Sequence, residues 1–457
     1  MANLSIWPRW LRAFGLLSCA ALLLSACSTY TPRPLSNETS LSPTIGQAAP
    51  TQEMPAPHVK ALTLDQVAAL AVRYDPDLKA KRQQSGVAEA QLYAVRLIPD
   101  PQLSANLDHP TGFNPGLVNA YGLGLGYDIV PLINRSARVQ GEREASRQVD
   151  LQLLWEEWQV AQQARTLAVR WVNEEKQLQL LEQMRALHRE RYGNSTQSLS
   201  QGDVTLDIAG TDLTALLDSL SQINQLEQTH NDTDHSLRLL LGLSPDSPLA
   251  IDLPPPPRPV TQQTMQSALS AVGQRRPDLL ALQAGYRSQE AKVHAAVLSQ
   301  FPSFSIGISR ARDTGNVYTS GFNIGLNLPL FSGNRGAIAV ERATREQLRA
   351  EYHSRLDQAV LDIDKLTRLQ HLIAAQQTRL DEYLPTLGRL VEQARSAYRR
   401  RDIDGLTFLN MESSLTSKRL ERIQLEQSLW ESHIALQTLL AIPPTIASDS
   451  AAAEGRP

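Results

Sequence analysis

The chain has 457 residues, enough for two or three ordinary domains. Only 5% of it is aromatic, while Ala, Leu, Gln, Arg and Glu dominate the middle segments, a composition of long helices meeting along narrow seams and not of thick globular cores. The net charge of −3, with bases and acids interspersed, excludes the basic footprint of a nucleic-acid binder.

In chain order, Arg9 and Arg12 precede an apolar run from Ala13 to Leu24 that closes on Leu24-Ser25-Ala26-Cys27. That run is too short to span a bilayer as a helix, so residues 1–26 read as a cleaved secretion signal. Its last four residues resemble a bacterial lipobox, whose cysteine thiol is acylated before cleavage, which makes Cys27 the lipid-attachment residue. The alternative is a plain signal ending near Ala26, with Cys27 incidental. Ser28 stands where an inner-membrane retention signal would resemble Asp, which points to the outer membrane. Cys19 lies in the discarded segment, so one mature chain can form no internal disulfide. Loss of Arg9 and Arg12 moves the formal charge from −3 to −5. Residues 27–60, rich in Pro, Ser and Thr, read as an extended tether.

The stretch that follows occurs twice. Shifting Pro76–Ser104 by 201 residues gives Pro277–Ser305 with ten identities in twenty-nine ungapped positions, among them Pro-Asp-Leu at both starts. At a shift of 199 the echo resumes: Asp203 falls on Asp402, and Leu226-Glu227-Gln228 on Leu425-Glu426-Gln427. The chain is a tandem duplication, with repeats at 61–244 and 262–443. Residues 245–261 form a linker containing the stiff run Pro254–Pro257, and 444–457 form a small, polar tail expected to be disordered.

Each repeat opens with a helix; the first, capped by Thr63, runs to about Arg96 with a break near Asp75-Pro76. Alternating runs come next. In the first repeat Leu103, Ala105 and Leu107 share a face, as do Leu123, Leu125, Tyr127 and Ile129. In the second, Phe304, Ile306 and Ile308 alternate with polar residues, and so do Phe322, Ile324, Leu326 and Leu328. Period-two alternation over about ten residues is the signature of a barrel strand crossing a bilayer. A soluble hairpin would look the same for one pair, but two isolated hairpins between very long helices favour the membrane. On that reading Phe304, Ile306, Ile308, Phe322, Ile324 and Leu326 face lipid, and Ser305, Asn323 and Asn327 face the lumen.

Corners at Pro131–Arg135 and Pro329–Arg335 lead into long helices. One apolar seam with coiled-coil spacing passes through Ala359, Ile363, Leu366, Ile373, Leu380, Leu384, Leu387, Val391, Ala394 and Tyr398, with Gln370 and Gln377 at its polar positions. Pro385 predicts a kink or a join between two helices there. Turns near Gly193–Gly202 and Arg399–Gly405 reverse the chain.

Secretion signal, duplication, two strands per repeat, paired long helices and the corner Pro329-Leu330-Phe331-Ser332-Gly333 together resemble the TolC-like outer membrane efflux family, across residues 60–443. The resemblance implies a mainly α fold with a membrane β-barrel part. Long antiparallel coiled-coil helices would form a periplasmic helical barrel, and four strands per chain would enter a shared 12-stranded barrel in a homotrimer. It implies a passive outer-membrane duct that binds no cofactor and works with a periplasmic adaptor protein and an inner-membrane transporter, in an efflux pump, a heavy-metal pump or a type I secretion line. Physics independently requires more than one copy if the sheet lies in the membrane, because an open four-stranded sheet leaves backbone groups unpaired in lipid; the other possibility is that the sheet is not in the membrane. The rival reading, a periplasmic adaptor or scaffold lipoprotein, calls for one helical hairpin flanked by small β domains.

No phosphate loop, Gly-x-Ser-x-Gly motif or His/Cys metal cluster supports an enzyme. His230 and His235 lie on different helix faces, and Trp155, Trp158 and Trp171 fit packing better than ligand stacking. A duct open at rest would leak, so the helical tips are expected to close together. Arg401, Asp402 and Asp404 of the second tip, with Asp203 of the first, are the expected aperture, Asp402 or Asp404 pairing with Arg401 or a neighbour. An ordinary solvated turn is the alternative.

Overall fold

The computed structural model describes residues 30–37, 41, 61–111, 116–329 and 331–441. The secretion signal, Cys27, most of the tether and the tail lie outside these residues. Residues 30–37 and 41 form neither helix nor strand. The first repeat comprises α1 (Leu64–Tyr74), α2 (Pro76–Arg96), β1 (Gln102–Asp108), β2 (Ala120–Asp128), the short α3 (Val130–Ile133), α4 (Arg135–Gln201) and α5 (Leu206–Leu241). The second comprises α6 (Gln262–Arg275), α7 (Pro277–Leu298), β3 (Ser303–Arg312), β4 (Tyr318–Asn327), α8 (Arg335–Arg399) and α9 (Gly405–Leu440).

Local chemistry sets the helix ends. Thr63 caps α1 in a reciprocal box with Gln66. Asp75 breaks the path into α2 and then caps it, its Oδ1 accepting from the Leu78 N–H at 2.6 Å, while Pro76 occupies a first-turn site that needs no donor. In the second repeat Arg276 holds that place, and its guanidinium grips Asp278 (2.6 Å) and lies over the Trp155 ring.

The 67 residues of α4 extend about 100 Å at 1.5 Å per residue, and α4 packs against α5, α7, α2 and α9. α8 pairs with α9. One core joins α1 to α4 and α5 through Val67, Ala71, Ala168, Val169, Leu237 and Leu241. Its counterpart joins α6 to α8 and α9 through Ala268, Val272, Ile363, Leu436 and Leu440. A parallel bridge between Leu62 and Ile251 ties the opening of the first repeat to the segment that follows it.

Two expectations are corrected. α8 runs unbroken through Pro385, so of the two alternatives expected there, a kink or a helix-to-helix join, the join is not there. Proline removes one hydrogen bond, about 3 kcal/mol with its steric clash, but the seam continues across it, with Ile373 buried before and Val391 and Ala394 after. Gly193 lies inside α4, and the first turn is confined to 202–205. There Gly202 takes the left-handed conformation (φ 82°) that ends the helix.

The strands form one antiparallel sheet in the order β1-β2-β3-β4. The central pair, β2 with β3, joins the two repeats, Tyr127 opposite Ile306 and Leu125 opposite Ile308. β1 and β4 are its edges.

Candidate functional site: the two-faced sheet and the helical tips

Register decides which side chains share a face. Phe304 lies opposite Leu326, Ile306 opposite Ile324, and Ile308 opposite Phe322. All six residues assigned to lipid therefore occupy one face, which β2 and β1 extend through Tyr127, Leu125 and Leu103. Phe322, Ile324 and Leu326 are 65%, 60% and 56% exposed. Soluble proteins rarely leave so continuous an apolar face open to water. The same face carries Arg310 and Arg312 at the hairpin end, where the apolar band stops.

The opposite face is polar. Along it, polar residues alternate across strands with glycines: Ser104 faces Gly124, Asn106 faces Gly122, and Ser305 faces Gly325. A Cβ built at Gly124 would stand 2.6 Å from Ser104 Oγ, and one at Gly122 or Gly325 would run into Asn106 Oδ1 or Ser305 Oγ. The polar side chains thus lie over their glycine neighbours along the wall. Asn323 also donates to Ser309 Oγ at 3.0 Å. The central rows carry amide and hydroxyl groups, and carboxylates appear at strand ends, Asp108 and Asp128. The sequence shows the glycines; only the pairing shows what each one admits.

At the other end of the long helices the two tips are built alike. The Asp203 N–H donates to Ser198 O, and the Asp402 N–H to Ala397 O, each at 2.9 Å. The left-handed residue is Gly202 in one tip and Arg401 (φ 65°) in the other. All four expected aperture residues are exposed. Of the partners expected for Asp402, Arg401 or a neighbour, the neighbour is the one found: Asp402 Oδ2 meets Arg400 Nε at 2.8 Å, while Arg401 takes the left-handed position of the turn. Asp404 caps α9, accepting from the Thr407 N–H (2.8 Å) and hydroxyl (2.7 Å), and these bonds hold its carboxyl below the usual range.

A contact not foreseen from the sequence joins the two tips. Arg191 of α4 donates from Nε to the buried Asp212 of α5 at 2.6 Å. Its guanidinium also lies against Gly405, the first residue of α9, where an added Cβ would come within 2.9 Å of Nη1. Tyr398 stacks on Phe408 beside it, ring centroids 5.2 Å apart.

Between sheet and tips, polar groups join neighbouring helices. Glu174 is buried on α4 and accepts from the Thr233 hydroxyl of α5 at 3.0 Å, with His230 Nδ1 at 3.3 Å. Burial nevertheless pushes its carboxyl above the ordinary range. Trp171 donates to Asp234 (3.0 Å) and packs against His230, so both residues serve helix packing, as expected. Arg170 of α4 grips Glu431 of α9 at 2.7 Å. Among the described residues no His, Cys, Asp or Glu group is placed to hold a metal ion.

Residues 268–441 match the family model described as outer membrane efflux protein. By sequence, the chain is 23% identical over 242 residues to the cation efflux system protein CusC of Escherichia coli K12. The match covers 51% of this chain, and the chain spans about half the length of the curated relatives it matches (48% for this one). By fold, it resembles a crystal structure of CusC (TM-score 0.67, 17% identity, 89% of this chain and 98% of that one). It also resembles the CmeC outer membrane channel of Campylobacter jejuni (TM-score 0.69, 15% identity, 90% and 94%).

Proposed function

We propose that this chain, which carries an outer membrane efflux protein domain in its second repeat and shares the fold of TolC-like outer membrane channels, is the outer-membrane duct of a tripartite efflux system. One observation carries the reading: a four-stranded sheet, apolar on one face and Gly/Ser/Asn on the other, with both edge strands unpaired. Such a sheet satisfies its backbone in lipid only if other copies continue it until it closes. Three copies, as the family resemblance implies, make twelve strands, with the apolar faces toward lipid and the polar faces around a lumen.

In this reading transport is passive. The polar wall offers solutes hydrogen bonds from amide and hydroxyl groups, and selection falls to the inner-membrane transporter and the periplasmic adaptor. The name of the CusC relatives, cation efflux system protein, supports cations as candidate cargoes alongside small organic molecules. The adaptor alternative fits less well, because two helical hairpins share one continuous sheet. Cys27 would anchor the mature chain to the outer membrane, with the helices in the periplasm.

At the tips, Arg191 pairs with Asp212 of its own hairpin and lies beside Gly405 of the other; partner contacts that displace Arg191 would open the duct. Three copies of Asp402 and Asp404 around an axis would favour cations. Planar-bilayer recording of the full chain tests the reading. Conductance steps with a low resting probability are expected, with cation preference reduced by Asp402→Ala plus Asp404→Ala and resting conductance raised by Arg191→Ala. A chain that inserts no conducting unit is not a duct. If it conducts but neither quantity moves, the constriction lies elsewhere.

A further inference from the structure

We propose that Arg310 and Arg312 form a site for the phosphate of a lipid headgroup, on the outward face of the sheet at its hairpin end. The inference rests on the duct reading, which puts this face toward lipid.

Arg310 and Arg312 point the same way as Ile306 and Ile308 because strand side chains alternate. Two residues apart, their Cα atoms lie about 7 Å from each other, close enough for both guanidinium forks to reach one phosphate. Arg312 is already positioned: it lies over the Tyr121 ring, 5.1 Å from the centroid, and donates from Nη2 to Asn119 O at 2.7 Å. Arg310 is exposed and makes no hydrogen bond or ion pair, and neither arginine has a carboxylate within 4.0 Å, among the described residues. Ser320 and Tyr318, opposite them on β4, supply hydroxyl groups on the same face.

Two uncompensated arginines on a lipid-facing wall are costly at the bilayer midplane and tolerated near the headgroups. They stand where the apolar band gives out, Arg310 about 13 Å along the strand from Ile306. A protein partner is disfavoured by topology. β3 lies between β2 and β4, so copies that extend the sheet at β1 and β4 leave its outward face uncovered. What remains at that height is the polar layer of the leaflet on the hairpin side. Guanidinium forks match phosphate oxygens two at a time.

The test uses the full chain in phosphatidylcholine nanodiscs doped with lipid A or with its dephosphorylated form, followed by native mass spectrometry of the released protein. The parent protein is expected to retain the phosphorylated lipid in preference to the dephosphorylated one. Arg310→Gln should lower that retention, and Arg310→Gln with Arg312→Gln should lower it about tenfold or more, as expected for lost charge-assisted hydrogen bonds. Arg310→Lys, which keeps the charge without the fork, should fall between. Because Arg310 makes no hydrogen bond or ion pair among the described residues, its single substitutions test the site without removing the Arg312 contacts. Equal retention of the two lipids, or parent-like retention in the double variant, overturns the proposal. So does displacement of the lipid by inorganic phosphate, which would make this a free-anion site. A chain that neither inserts nor conducts overturns the duct reading itself.

Discussion

Replacing Ile324 and Asn323 by arginine, one at a time, tests the two faces directly. The residues are adjacent on β4, so propensity and position along the strand are nearly the same, and only the side of the sheet differs. Arg310, at headgroup depth in the duct reading, pairs with Ser320. Ile324 lies four residues further on, about 14 Å along the strand and about 10 Å in depth for a strand tilted by roughly 40°. That is near the middle of an apolar band about 25 Å tall, where an arginine costs about 2–4 kcal/mol. Asn323→Arg gives up the bond to Ser309, worth about 1 kcal/mol, and leaves its charge in water. Urea titration of protein folded into phosphatidylcholine vesicles, followed by tryptophan fluorescence and heat-modifiable gel mobility, measures both. Equal costs at the two positions would refute the assignment of faces, and a larger cost at Asn323 would reverse it.

At the tips, Arg401→Gly should stabilise the protein by about 1 kcal/mol, since a left-handed residue with a Cβ is strained, while Gly202→Ala should destabilise it by about as much; thermal melts that move both variants the same way would contradict this. Burial raises the carboxyl of Glu174 above its unfolded value, so its contribution is fully present in acid and is lost as pH rises through the folded value. Glu174→Gln, which keeps an acceptor for Thr233, should therefore raise the melting temperature at neutral pH and flatten its dependence above the ordinary glutamate range. Cys27→Ser should leave unprocessed precursor, and an unmodified N-terminus on the mature parent protein in mass spectrometry would rule out lipidation.

The sequence by itself determined whatever depends on near neighbours along the chain. Period-two alternation marked four strands, a coiled-coil seam marked the helix of the second tip, and Thr63 with Gln66 and Asp75 with Pro76 set helix ends through groups a few residues apart. Duplication was legible too, and it aligned Asp203 with Asp402, whose N–H groups make matching bonds in the two tips. Tertiary structure decided what depends on partners far along the chain. No local rule says that β2 pairs with β3, whose residues lie almost two hundred positions apart, and without that register the fit of Ser104, Asn106 and Ser305 over glycines cannot be read. Pro385 looked like a break because the cost of its missing donor is local, whereas the burial of Ile373, Val391 and Ala394 that offsets it comes from the neighbouring helix. The pairing of Asp402 with Arg400, and not with Arg401, was decided within the turn itself. Closing the turn required a left-handed residue at 401, and that backbone conformation, invisible in composition or spacing, directed which guanidinium could reach the carboxylate.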